Sequence, residues 1–187
     1  MEEYKYILID GSNYQNRLDH LLAHVPGIFK YKTLLYIGAN NRLQLFDEFV
    51  VRGYEIDVVE AYPPNVIKLA DVEGIRTIYN TDIVRFNNSE RYDVVLFWHG
   101  IEHLNYYQVP KLLKKLKKIC NKFIVFGMPF GEYPQGAEYG NPYEVHKTKW
   151  YPNDILALGM NVSTIGRKDT KRANMIAWLE SKSGRWV

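Results

Sequence analysis

Short apolar runs recur along this chain, each followed by a stretch whose apolar residues fall at helical spacing, and that alternation restricts the fold more than any other feature. The first run, residues 33–38, ends in Gly38; Leu43, Phe46, Phe49 and Val50 then follow at helical spacing. The second, residues 55–60, ends in Glu60, and Pro63 and Pro64 open the next helix, where a proline in the first turn forfeits no hydrogen bond. A third strand is predicted over 75–79, a fourth over 93–97 and a fifth over 123–126. Val109, Leu112, Leu113, Leu116 and Ile119 form the stripe of the helix between the last two. Strands and helices in this rhythm build βαβ units around a mainly parallel sheet covered on both faces.

The two ends depart from the rhythm. Residues 14–25 read as an amphipathic helix with Leu18, Leu21, Leu22 and Val25 on one face, stopped by Pro26 and Gly27. After a helix over 152–158, residues 161–165 and 175–179 read as two strands joined by a short polar turn, an antiparallel hairpin closing one edge. The predicted fold is therefore α/β, with seven strands, five of them parallel. At 187 residues the chain is the size of one domain, 1–187, with residues 1–30 as an N-terminal helical segment.

Residues 128–150 hold three glycines and three prolines among many aromatics, which forbids regular structure over most of the segment. A loop this long in a small domain is expected to be functional, and it is read as a substrate-covering loop. Fifteen tyrosines and four tryptophans exceed what a small core absorbs, so some are expected to line a pocket.

Charge and cysteine usage exclude more than they suggest. The single cysteine, Cys120, rules out an intramolecular disulfide and any multi-cysteine zinc site. A net charge of +3 gives no general argument for nucleic acid. The lysine-rich face of the helix at 109–119 and the basic turn at 167–172 read as solvated surfaces. No apolar run approaches a membrane span and no export signal is apparent, so a cytoplasmic protein without a membrane partner is expected. No oligomer interface is assigned.

In an open parallel sheet, ligands bind beyond the carboxyl ends of the strands. There the first strand delivers Gly38, Ala39, Asn40 and Asn41: Gly38 permits a sharp turn and close approach of a ligand, and asparagines tolerate left-handed backbone. Glu60, about 20 residues on, is placed to accept hydrogen bonds from both hydroxyls of a ribose. Glycine turn and strand-end acid together fit any nucleoside cofactor, NAD included. The third strand is followed by Asn80, Thr81, Asp82 and Ile83, and the fourth by Trp98, His99, Gly100, Ile101, Glu102, His103 and Leu104.

With these residues the chain resembles the class I S-adenosyl-L-methionine (SAM)-dependent methyltransferases of Rossmann-like fold. An acid after the third strand and Glu-His-Leu after the fourth resemble, in particular, the small-molecule enzymes of the ubiquinone-biosynthesis type. The resemblance runs from about Thr33 to Leu179 and includes the terminal hairpin. It implies SAM as cofactor, with Gly38, Ala39 and Asn40 facing its methionine part. Glu60 would hold the ribose, Ala61 and Tyr62 would pack near the adenine, and Asp82 and Ile83 would bind the adenine edge. Trp98 and His99 would border the sulfonium.

The first motif of that family usually begins with an acid and carries alternating glycines; here Tyr36, Asn40 and Arg42 stand at those positions. Two functions follow: a methyltransferase acting on a small-molecule acceptor, or a non-catalytic Rossmann-like module that retains nucleoside binding. Methyl transfer needs an in-line nucleophile and, where that nucleophile carries a proton, a base. Glu102, His103 and His146 are the catalytic candidates, with His99 and Glu144 nearby. Imidazoles beside a carboxylate suit a base or acceptor-orienting role, a structural hydrogen-bonding role, or a divalent transition metal. No metal is assigned on sequence grounds.

Overall fold

The computed structural model describes residues 14–39, 43–166, 173–182 and 186. Asn40, Asn41, Arg42 and the basic turn at 167–172 lie outside the described residues. Seven strands form one sheet: β1 (Thr33–Ile37), β2 (Glu55–Glu60), β3 (Ile75–Asn80), β4 (Tyr92–Trp98), β5 (Cys120–Pro129), β6 (Asn161–Gly166) and β7 (Ala173–Glu180). Their order is β3-β2-β1-β4-β5-β7-β6. The first five are mutually parallel, while β7 pairs antiparallel with both β5 and β6. The terminal hairpin therefore enters the sheet through its second strand and leaves β6 at the edge.

Side-chain parity along the strands separates two cores. On β1, Leu34 and Tyr36 face one way, Leu35 and Ile37 the other. The first side is covered by α1 (Tyr14–His24), α2 (Phe46–Val50) and α3 (Pro63–Leu69), through Leu18, Leu21, Phe46, Phe49 and Leu69. The second is covered by α4 (Gln108–Ile119) and α5 (Pro152–Ala157), through Leu112, Leu116 and Ile155. Seven-stranded mixed sheet, flanking helices and strand order are those of the Rossmann-like methyltransferase fold.

Two local readings change. The stripe from Leu43 to Val50 predicts a helix of two turns, but Leu45 adopts a left-handed conformation (φ 64°) and α2 begins only at Phe46. The lysine face of α4 is not uniformly solvated: Lys115 Nζ donates to the carbonyls of Ile83 and Val84, each at 3.0 Å, and to that of Phe86. It clamps the loop after β3 from below. Among the described residues no helix is long and apolar enough to cross a membrane.

Candidate functional site

β1 has β2 on one side and β4 on the other, so the chain changes direction across the sheet at the β1–β4 junction, where a crevice opens. The residues directly after β1 and β4 are left-handed: Gly38 at φ 67° and His99 at φ 52°. The turn at Gly38 is fixed by its N–H donating to the Val59 carbonyl at 2.8 Å, and that at His99 by the Gly127 carbonyl at 2.8 Å. A positive φ is strained for a histidine, and such strain gathers at functional sites. A Cβ on Gly38 would come within 3.3 Å of the Phe97 ring, so the glycine keeps the backbone against the crevice wall.

Two adjoining cavities occupy this edge. The smaller, about 80 Å³, is lined by Gly38, Glu60, Ala61, Asp82, Ile83, Phe97 and His99, with Asn141, Tyr143, Glu144 and Lys147 of the long loop on its outer side. The larger, about 350 Å³, is lined by Tyr62, His99, Glu102, His103, Tyr133, Glu144 and His146, among others. His99, His103, Asn141 and Glu144 belong to both walls.

Most of the residues singled out in the sequence meet here. Glu60 is buried and its Oε1 accepts the Tyr62 N–H at 2.8 Å, which fixes the carboxylate at the cavity wall. Asp82 Oδ1 accepts the Val84 N–H at 2.8 Å, so this carboxylate also caps its own turn. Two candidates are not brought to the cavities. Trp98 follows Phe97 on β4 and so points to the opposite face, where it joins the core under α1 and α2 and donates from Nε1 to Gln44 Oε1 at 3.0 Å. Ala39 is buried in the same core.

Sequence reasoning passed over Gln44 altogether. Its side-chain oxygen accepts from Trp98 and from Arg17 Nη1, and its carbonyl accepts the Tyr36 hydroxyl at 2.9 Å. Tyr36, at the position where the family carries an acid, thus anchors Gln44 just ahead of α2. No local pattern marks Gln44, because its partners come from α1, β1 and β4.

The long loop is pinned rather than loose. Gly131 and Trp150 bridge its base, the Gly131 N–H donating to the Trp150 carbonyl at 2.7 Å. Its returning arm docks on the turn after β4: the N–H groups of Lys147 and Thr148 donate to the Glu102 carbonyl at 2.8 and 3.1 Å. Within the loop, Gln135 Nε2 donates to the Glu144 carbonyl at 2.9 Å and the His146 N–H to the Gln135 carbonyl at 3.1 Å. These bonds deliver His146 to His103, the ring centroids 4.9 Å apart.

The electrostatics of the cluster follow from burial. Burial opposes the charge on Glu102, but contact with His99 and the nearby charge of His103 outweigh it, and the carboxyl titrates below its ordinary range. Burial also lowers the pKa of His146, keeping that imidazole neutral near pH 7.

No protein-family model matches the chain, and no curated protein matches it by sequence. Solved structures do. The N-methyltransferase NodS of Bradyrhizobium japonicum superposes with a TM-score of 0.62 at 12% identity, over 92% of this chain and 99% of that one. A SAM-dependent methyltransferase of Archaeoglobus fulgidus gives 0.62 at 15% identity, over 90% and 95%. The 1,6-didemethyltoxoflavin-N1-methyltransferase of Burkholderia thailandensis, solved with that compound and S-adenosylhomocysteine, gives 0.62 at 15% identity, over 92% and 79%. At identities this low the superpositions establish a shared fold alone.

Proposed function

We propose that the chain is a SAM-dependent methyltransferase that acts on a small-molecule acceptor held beneath the loop at 128–150. The observation that carries this reading is the convergence of Gly38, Glu60, Ala61, Asp82 and Ile83 on one cavity. These residues come from three separate strand ends, and the sequence pattern and the family resemblance point each of them to a nucleoside cofactor.

The residues present fit such a cofactor. Gly38 leaves the crevice open where a side chain would intrude, Glu60 presents a carboxylate suited to ribose hydroxyls, and Asp82 and Ile83 supply a polar and an apolar edge for adenine. When bound, SAM supplies an activated methyl group on a sulfonium. The chain's own part is to orient the acceptor and exclude water, which provides much of the rate in a displacement of this kind. Glu102, His103 and His146 form the polar floor against which the acceptor's nucleophile is held. The loop at 128–150 walls both cavities, so cofactor and acceptor share one lid. Glu102, His103 and Leu104 after β4 keep the reading close to the ubiquinone-biosynthesis type, with a cytoplasmic location.

The test is transfer of a radiolabelled methyl group from SAM to a panel of small polar acceptors, by the wild-type chain and by His146→Ala. Turnover in the variant is expected to fall at least about tenfold, on the scale of a lost general acid–base or orienting group, with SAM affinity nearly unchanged. Equal losses in turnover and affinity would remove His146 from the acceptor side of the site.

A further inference from the structure

The geometry points to one divalent transition-metal ion bound by Glu102, His103 and His146 on the floor of the larger cavity. Each of the three offers one ligand atom, and these atoms lie within 4.8 Å of one another. Glu102 is 2% exposed, yet neither of its carboxylate oxygens accepts a hydrogen bond among the described residues. A buried carboxylate is retained only when paired, hydrogen-bonded or coordinating a metal. Among the described residues, the ion pair Glu102 makes is with His99 Nδ1, 3.4 Å from Oε1 but without hydrogen-bond alignment.

The imidazoles are held as ligands are held. His103 donates from Nδ1 to the Val145 carbonyl at 3.3 Å, and His146 donates from Nδ1 to the Tyr133 carbonyl. A carbonyl only accepts, so in each ring Nδ1 carries a proton, which leaves Nε2 as the atom open to another partner. A second-shell carbonyl that fixes tautomer and ring orientation is the regular companion of a metal-bound histidine. A cluster built only for hydrogen bonding would instead aim an N–H at Glu102.

Two imidazole nitrogens and one carboxylate oxygen suit Mn²⁺, Fe²⁺, Co²⁺ or Zn²⁺ rather than Mg²⁺ or Ca²⁺, which prefer all-oxygen shells. Three protein ligands leave coordination positions open, the arrangement of reactive sites rather than closed structural ones. Glu102, His103 and His146 all line the larger cavity, so an oxygen or nitrogen donor of the acceptor has access to those positions. This inference goes beyond the methyl-transfer reading and stands without it.

The experiment uses the full chain without a polyhistidine tag, stripped with chelator and titrated with Co²⁺ and Mn²⁺ in the absence of SAM and acceptor. One Co²⁺ per chain is expected, with visible d–d absorption from a mixed nitrogen and oxygen shell. Glu102→Gln and His146→Ala should each weaken binding at least about tenfold, the scale seen when even outer-shell partners are lost. Melting curves with and without S-adenosylhomocysteine establish that each variant is folded. No saturable binding by the folded wild-type chain overturns the proposal. So does binding that survives both substitutions, which would place the ion elsewhere on the chain. In either case S-adenosylhomocysteine binding is read separately, so loss of the metal site leaves the cofactor reading standing, and the reverse also holds.

Discussion

Replacing Gly100 by alanine isolates the packing that keeps the cofactor crevice open. Gly100 has φ −143°, outside the left-handed region reserved for glycine, so the main effect of an added Cβ is its clash with what it meets. The added Cβ would lie 1.7, 2.1 and 2.4 Å from three atoms of the Phe97 ring. Ordinary contact begins near 3.4 Å, so the ring must move by roughly 2 Å. It has little room to do so. Phe97 is buried, meets Phe126 edge-to-face at 6.0 Å between centroids, and is backed by the Gly38 turn.

Overpacking of this kind costs about 1–3 kcal/mol, and forcing the ring off its rotamer adds about 0.5–1.5 kcal/mol. A total of about 2–4 kcal/mol lowers Tm by roughly 4–16 °C in a chain of this length. Because Phe97 lines the smaller cavity, its displacement should also weaken S-adenosylhomocysteine binding. The assay is thermal and urea unfolding of the wild type, Gly100→Ala, Phe97→Leu and the double variant. Leucine at 97 makes room for the new Cβ, so the cycle should show favourable coupling of about 1 kcal/mol or more. A Gly100→Ala Tm within 2 °C of wild type, on the scale set by that estimate, or additive losses in the double variant, would refute the reasoning.

Two other predictions follow from groups outside the cavities. Lys115→Met removes a charged donor from the carbonyls of Ile83, Val84 and Phe86; it should destabilise the chain by about 1–3 kcal/mol and weaken S-adenosylhomocysteine binding several-fold, with partial recovery in Lys115→Arg. Unchanged unfolding curves for Lys115→Met would contradict the clamp. His20 titrates at about 4, because burial and then the charge of His24 disfavour its imidazolium, whereas the unfolded chain takes up that proton near 6.5. Its contribution is therefore complete above pH 6.5 and is lost as pH falls toward 4, about 2 kcal/mol between pH 7 and pH 5. Comparing urea unfolding of wild type and His20→Gln at the two pH values checks this, since a stability difference that does not change with pH would contradict it.

The sequence made the sheet legible because strand signals are local. Gly38 and Glu60 mark strand ends by residue type, and the apolar run from Val94 to Phe97 reads as a strand buried on both faces. The α2 helix is shorter than its apolar spacing predicts, for a physical reason. Leu43, Phe46 and Phe49 keep helical spacing, but spacing does not reveal that Leu45 turns left-handed and delays the helix. At the site, strand parity separated residues that sequence proximity had grouped: Phe97 and His99 reach the crevice, and Trp98 between them does not. The clamp made by Lys115 was hidden because an amphipathic pattern tells which side of a helix is polar, not what lies opposite it. The tautomers of His103 and His146 depend on the carbonyls of Val145 and Tyr133. Those carbonyls reach the rings only because the long loop folds back onto Glu102, a contact with no counterpart in any short stretch of sequence.

The central claim, a nucleoside cofactor held at the β1–β4 crevice, is tested most directly by calorimetric titration of S-adenosylhomocysteine into the wild type and Glu60→Gln. Glutamine keeps an acceptor for the Tyr62 N–H and removes only the charge that would face the ribose. The account predicts saturable binding with one site per chain, weakened in the variant by about 10- to 100-fold, the scale of a lost charge-assisted hydrogen bond. No binding by the folded wild type, or equal affinity in the two proteins, would contradict it.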